Sequence, residues 1–264
     1  MYLTPAPHSR IHDKEILMTT TNHRDGLHLF KTTGFFEERE LALDHLRDLD
    51  DILFAEGVDY CVMFGTLLGL LRHDDLIPWD DDLDIIIFDI EQFEKKCRHQ
   101  LEDRGYVVYD DMRTLAGKQR RCGYRIYAEQ GLRIPGQTWK FPWLGVWAPD
   151  IKNSTMTLPP ERFSYSVRDF FPLERKAFLD FTVSVPRLSE EIVKQYYGSD
   201  CMEICMLHNL DHRQYKPTGF PTTKYLLEDV LAYLKENPHR FDEEIPSSTR
   251  ENFVETRSQH PQPK

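Results

Sequence analysis

Apolar positions recur along this chain with two periods, and the changes between them mark its elements. From Phe35 to Ala55, Ala42, Leu46, Leu49 and Leu53 form one stripe at helical spacing, with acids and arginines opposite, and Gly57 follows. The pattern predicts an amphipathic helix whose charge run is a solvated face. Tyr60 to Phe64 is a short apolar run that breaks at Gly65-Thr66, and Ile85 to Phe88 has the composition of a buried strand. Asp89 then caps a predicted helix with Ile90, Phe93, Cys97 and Leu101 on one stripe and Gly105 as its stop. Tyr106 to Tyr109 and Cys122 to Ala128 read as strands, and Ser189 to Tyr197 as a helix ended by Gly198. A last helix is expected at about Thr223 to Lys235, carrying Leu227, Val230, Leu231 and Leu234, before Asn237-Pro238 stops it.

Residues 1–33 are polar, with Pro5, Pro7 and a Thr19-Thr20-Thr21 run, and read as a disordered leader. Residues 239–264 read as a disordered C-terminal tail, which leaves one domain at 34–238. No internal repeat is visible.

Between the two apolar runs, six Asp fall within eleven residues, from Asp74 to Asp84. Like charges this dense repel unless something compensates them. In an extended chain Asp80, Asp82 and Asp84 point to one side, while Asp81, Leu83 and Ile85 point to the other. The Asp82–Asp84 pair then presents two carboxylates roughly 6 to 7 Å apart at Cα. Hard anionic oxygens in that number suit Mg²⁺ or Mn²⁺ shared with substrate phosphates. Gly65-Thr66 offers backbone N–H groups at a helix start, a ready place for phosphate. A solvated Asp-rich turn is one alternative. An EF-hand loop is another, with Asp80, Asp82, Asp84 and Glu91 at its ligand positions, but it wants Gly where this chain has Ile85. Neither accounts for the Gly-Thr turn and Arg72 upstream, so a metal-dependent phosphoryl or nucleotidyl transferase is preferred.

The block Gly65-Thr66-Leu67-Leu68-Gly69, Arg72 and Ile77-Pro78-Trp79-Asp80-Asp81-Asp82-Leu83-Asp84 resembles the signature of the LicD family. That family includes bacterial phosphocholine transferases and, among animals, fukutin and fukutin-related protein. The resemblance covers roughly residues 35 to 215. It implies an α+β, nucleotidyltransferase-like fold: a small mixed β-sheet with the acids at one edge and flanking helices behind. It also implies Mg²⁺ (or Mn²⁺) and transfer of phosphocholine, ribitol phosphate or a similar phosphoalcohol from a CDP-linked donor to a glycan or other hydroxyl acceptor. Asp82 and Asp84 would hold the metal, with Asp80 beside them in the catalytic set. Gly65 and Thr66 would cradle phosphate, Arg72 would neutralise the leaving CMP, and Trp79 would wall the pocket or stack on a base. Arg125 is a candidate for the donor phosphates, a surface salt bridge being its alternative.

Phe141-Pro142-Trp143-Leu144-Gly145-Val146-Trp147 resembles the family's second landmark, a strand whose Asp supplies a third acid. Here Gly145 occupies that place, so the usual base is missing. Asp150, three residues past Trp147, is a candidate replacement, a plain loop acid the alternative. Phe170 to Leu173 and Phe178 to Pro186 resemble the family's later strand pair. Cys201, Cys205, His208 and His212 recur at intervals of 4, 3 and 4. On one helix these share a face and cannot surround a tetrahedral ion, so no zinc is expected there. A helical face with His208 or His212 near the acceptor groove is the reading adopted.

A net charge of −11 argues against a nucleic-acid polymer as partner, while a single nucleotide in a pocket stays compatible. Five cysteines without framework spacing point to reduced thiols and a cytoplasmic location, and no signal peptide or transmembrane segment is expected. Animal relatives are anchored in the secretory pathway, which is the alternative if a signal lies outside this sequence. Two further functions stay open: a nucleotidyltransferase handing NMP to a small molecule or protein, and a pseudoenzyme that binds nucleotide or glycan without turnover.

Overall fold

In the computed structural model, which describes residues 26–115, 118–158, 163–220 and 222–237, a five-stranded mixed sheet carries the Asp cluster. In chain order the elements reaching it are α1 (Arg39–Glu56), β1 (Tyr60–Val62), α2 (Phe64–His73) and β2 (Leu83–Ile87). Next come α3 (Ile90–Lys96), α4 (Arg98–Asp103), β3 (Tyr106–Leu115) and β4 (Lys118–Ala128). A short pair, β5 (Leu132–Arg133) and β6 (Lys140–Phe141), leads into β7 (Leu144–Trp147). The strand order is β1-β2-β7-β4-β3. Only β2 and β7 run parallel; the other neighbours are antiparallel. The chain crosses from β2 to β7 through α3, α4 and the long β3–β4 hairpin, so the central strand is the last to be laid down. This is the α+β class with a mixed sheet and flanking helices.

The hydrophobic stripe of α1 decides how it packs. Ala42, Leu46, Leu49 and Leu53 are all fully buried, as are Ile85, Ile86 and Ile87 of β2. The stripe Phe93, Cys97 and Leu101 is buried as expected, but on two helices: the backbone turns aside at Cys97, which closes α3 and opens α4. Beyond the sheet, β8 (Asp150–Lys152), β9 (Thr155–Leu158) and β10 (Phe163–Ser166) form a separate three-stranded sheet. After a single turn, α5 (Val167–Phe170), β11 (Glu174–Phe178) and β12 (Phe181–Val185) form a hairpin. The later strand pair therefore starts at Glu174, not at Phe170, which sits buried in α5. A reading by apolar runs misses β11 because Glu174, Arg175 and Lys176 give it no apolar run, and the four residues before Phe178 are exposed. The Asp50 carboxylate fixes the hairpin to α1 and β1, accepting from Tyr60 and from both terminal nitrogens of Arg175, while the Ser184 N–H donates to Tyr60.

The helix α6 (Ser189–Tyr197) stands where the periodicity puts it, while α7 (Leu227–Glu236) starts four residues later than the expected Thr223, because Tyr225–Leu226 pairs as a strand with Ile204–Cys205. Between them the structure departs from the sequence reading. Residues 201–212 are not helical; Ile204–Cys205 pairs with Tyr225–Leu226, and Leu210–Asp211 with Lys216–Pro217. Part of the segment read as a leader is packed against the sheet-bearing domain. A 3-10 turn, Leu27–Lys31, buries Leu27 and Phe30, with Phe30 edge-on to Trp79 and Tyr225 at 5.0 Å each. The rest of the expected leader and the tail at 239–264 lie outside the described residues. All five cysteines are buried thiols. No helix among the described residues is long and apolar enough to cross a membrane.

Candidate active site

Strand register assembles one row of the site. Asp84 of β2 lies opposite Gly145 of β7, and Gly145 opposite Arg125 of β4. Residues directly across a ladder share a face of the sheet. A missing side chain at 145 thus leaves a narrow lane between an acid and a cation, filled at its acidic end by Asp84. Asp84 leans into it: a β-carbon on Gly145 would come within 2.4 Å of Asp84 Oδ1. The indole Nε1 of Trp147, two residues along the same strand, donates to that oxygen at 2.7 Å.

The second group forms at the start of α2. Gly65 is required there by close approach, since a β-carbon on it would come within 2.4 Å of Asp80 Oδ2 and 4.0 Å of Asp82 Oδ1. Asp80 and Asp82 therefore converge on the helix N-terminus, whose N–H groups and dipole favour negative charge. Phe64, the first residue of α2, has φ 50°, a conformation that costs a non-glycine residue of order 1–3 kcal/mol and that recurs at functional sites. Its ring is wedged between Trp147 and Tyr196, at 5.4 and 4.7 Å. The Thr66 hydroxyl accepts the Asp84 N–H at 2.8 Å, and the Met63 N–H donates to the Asp84 carbonyl. Thr66 thus joins α2 to β2 and sets the spacing of the two acid groups. Burial, with Asp82 and Asp81 beside it, pushes the Asp80 carboxyl well above the usual carboxylate range.

Asp81 points the other way, as alternation requires, and meets a partner that the sequence does not reveal. Its Oδ2 accepts the backbone N–H of His212 at 2.9 Å and its Oδ1 lies 2.6 Å from His212 Nδ1. The other ring nitrogen, Nε2, is 3.4 Å from Asp82 Oδ2. Burial disfavours the charged ring, but Asp81 and Asp82 outweigh it and carry His212 up to about 10. Burial likewise opposes ionisation of Asp81, and His212 overcomes it, holding that carboxyl below its usual range. An imidazolium therefore sits inside the acid cluster, supplied by the loop predicted as a helix. His208 stacks on its ring at 5.1 Å.

Arg125 lies 4.1 Å over the face of Trp139, with the Trp143 and Tyr215 rings each 5.9 Å away and Asp111 Oδ2 at 3.4 Å. It is a largely buried cation on the site's row, not a surface salt bridge. Arg72 is placed otherwise. Nη1 donates to the carbonyls of Cys201 and Ile204, at 3.0 and 3.3 Å, and Nε to His73 Nε2 at 3.0 Å. These bonds, made through Nε and Nη1, tie α2 to the 201–205 segment and give Arg72 a structural duty. Trp79 is 4% exposed, packed against Phe30, His73 and the Arg72 guanidinium, so it offers no face to a base. Asp150 heads β8 in the separate sheet and pairs with Lys152 at 2.6 Å. Sequence reasoning missed Tyr197, the last residue of α6. The residue is part-exposed, but its phenol end is buried: desolvation first, then Tyr196 and the charges of Asp80, Asp82 and Asp84, raise it well above its ordinary value, and its ring meets Tyr196 edge-on at 4.7 Å. An exposed aromatic at a helix end carries no periodic signal that separates it from the buried Tyr165.

Among the described residues, no group of three or more Asp, Glu, His or Cys side chains forms a ready metal cage, the 201–212 cysteines and histidines included. What the cluster offers is two or three carboxylates at a helix start. That fits an Mg²⁺ whose remaining ligands are waters and substrate phosphates, and does not fit a structural zinc.

Residues 57–188 match the family model described as LicD/FKTN/FKRP, nucleotidyltransferase domain. The chain is similar to an uncharacterized protein of Rickettsia typhi, 38% identical over 89 residues, covering 33% of this chain and 28% of that protein. A protein of Rickettsia prowazekii, also uncharacterized, is 39% identical over 64 residues, 24% of each. The ribitol 5-phosphate transferase FKRP of Homo sapiens is 39% identical over 62 residues, 21% of this chain and 12% of that protein. The matched segments thus span between 12% and 28% of these relatives' own lengths.

Proposed function

The chain belongs to the family of LicD/FKTN/FKRP nucleotidyltransferase domains, and from that premise we propose that it transfers a phosphoalcohol from a CDP-linked donor to a hydroxyl of a glycan or related acceptor. The observation that carries the proposal is the convergence of Asp80 and Asp82 on Gly65 at the start of α2, with Asp84 next along β2. On this reading the acceptor hydroxyl oxygen attacks the phosphorus bearing the alcohol and gives up its proton to solvent. The bond from that phosphorus to the bridging oxygen breaks, and CMP departs with the electron pair.

Asp82 and Asp84 are the residues to hold Mg²⁺ or Mn²⁺, which when bound supplies positive charge to the donor pyrophosphate. The α2 N-terminus favours phosphate, and Arg125, across the ladder from Gly145, is the residue to meet the alcohol part of the transferred group. Tyr197, part-exposed at the end of α6, would offer a surface for the nucleotide. His212, held by Asp81 and 3.4 Å from Asp82, offsets part of the negative charge of the cluster before any ligand arrives.

Calorimetric titration with CDP, with and without Mg²⁺, tests the site. Saturable binding should require Mg²⁺ and disappear in Asp82→Asn and Asp84→Asn, with the fold kept or made more stable as like charges are removed. Unchanged affinity in both variants would sink the metal assignment. One observation favours a second reading, a binding protein without turnover: at Gly145 the usual acid is absent. Product analysis separates the cases, since phosphoalcohol transfer releases CMP, nucleotidyl transfer releases pyrophosphate, and a pseudoenzyme binds CDP and releases neither.

A further inference from the structure

Three aromatic faces and a carboxylate around one point are what a quaternary ammonium site is made of. This chain builds such a cage from Trp139, Trp143, Tyr215 and Asp111, and then fills it with its own Arg125. The occupant is held firmly: its side chain is 11% exposed, and the nearest ring is in stacking contact at 4.1 Å. The cage stands beside the lane at Gly145, because Arg125 and Gly145 are direct partners across β4 and β7.

We propose that Arg125, by filling this aromatic cage, selects donors whose transferred alcohol is an uncharged polyol and excludes those bearing a quaternary ammonium. The proposal rests on the transfer reading above and deepens it. A trimethylammonium group brought to the lane meets a fixed guanidinium where it needs bare aromatic faces, so it faces repulsion and gains no cation–π contact. A polyol phosphate meets the same guanidinium as a donor fork for its oxygens. The buried Trp139 Nε1 finds no acceptor among the described residues. An unmet buried donor favours an oxygen-bearing ligand, and a trimethylammonium offers no oxygen.

The full chain with Mg²⁺ is titrated calorimetrically with CDP, CDP-ribitol, CDP-glycerol and CDP-choline. A polyol donor should bind at least about tenfold more tightly than CDP-choline, the size of one good cation–π or charged hydrogen-bond contact. CDP-choline should bind no more tightly than CDP. Equal binding of all three donors, or preference for CDP-choline, overturns the selection and leaves the transfer reading standing. If none of the CDP compounds binds, the transfer reading falls and takes the selection with it. Emptying the cage gives an independent arm. Arg125→Ala and the milder Arg125→Gln should gain saturable tetramethylammonium binding, followed by tryptophan fluorescence, that the parent lacks. A folded variant without that gain overturns the proposal, and the parent's donor order decides it if neither variant folds.

Discussion

Asp84 Oδ1 stands in front of Gly145, held by the Trp147 indole in space that any β-carbon at 145 would enter. The absent third acid and the orientation of a proposed metal ligand are therefore one structural fact. With glycine at 145 the Asp84 carboxylate lies down across β7; with any side chain there it must stand up.

The Asp81–His212 pair bridges 131 residues of sequence and is almost wholly buried. His212→Ala strands Asp81 in a dry place, and breaking a buried pair from one side costs about 3–5 kcal/mol. Urea unfolding should show that loss. Asp81→Asn with His212→Ala should cost less than the two single changes summed, because neither partner is then left charged and alone.

The same pair gives stability an alkaline limb. Folding carries His212 from its ordinary 6.5 up to about 10, so the stability it adds is full below 6.5 and is lost as pH rises through about 10. Asp81 moves oppositely, and its share is present above the ordinary carboxylate value and lost as pH falls through the lowered one. The urea midpoint should fall steadily between neutrality and about pH 10. In His212→Gln that slope should flatten.

Asp80 is costly to the free protein. Its folded pKa lies well above the ordinary 3.8, mainly through burial, so its ionisation works against folding as pH rises past that value. Asp80→Asn keeps the shape and removes the charge. It should stabilise the protein by about 1–2 kcal/mol at neutral pH, and by nothing once the medium is acid enough to protonate the parent. A gain that persists in acid would mean that crowding, not charge, is what Asn relieves.

Arg72→Lys separates a strut from a phosphate ligand. Lysine cannot span the Cys201 and Ile204 carbonyls and also reach His73, so stability should drop by about 1–2 kcal/mol. Nucleotide affinity at saturating Mg²⁺ should hold. Lost affinity with unchanged stability would return Arg72 to the donor site.

What could be read ahead of the fold was whatever one element writes by itself. The stripe of α1, the span of α6 and the apolar body of β2 are local patterns, and they stand as expected. The adjacency of Gly145 to Asp84 was legible because the landmark strand had to lie beside the acids. Hidden features were those in which distant segments decide. Trp79 is buried because residues 27–31 cover it, and Arg72 is engaged because the 201–205 carbonyls come to it. The 4, 3, 4 spacing of Cys201 to His212 imitated a helix, but Asp81 draws His212 inward by both its backbone and its ring. Arg125 looked like an alternating strand residue, and its cage comes from loops that no period predicts.

Gly145→Asp brings these threads together. The new carboxylate enters a lane already occupied by Asp84 Oδ1; the nearest obstructing atom is the end of a side chain, while the Leu83 carbonyl, 3.3 Å from the new β-carbon, must give by a few tenths of an ångström. Asp84 must then turn away and release Trp147, which puts two carboxylates side by side and adds repulsion. The metal-free variant should lose about 1 kcal/mol, and Mg²⁺ with CDP should restore more stability to it than to the parent. If transfer is limited by a missing base, turnover should rise by about 10²- to 10⁴-fold. Gly145→Asn moves Asp84 equally without supplying a basic carboxylate, and it should bind donor without the gain. Equal turnover in the Asp and Asn variants would show that displacing Asp84, not adding an acid, is what changes the chemistry. No transfer from either, with CDP and Mg²⁺ still bound, would favour the binding protein.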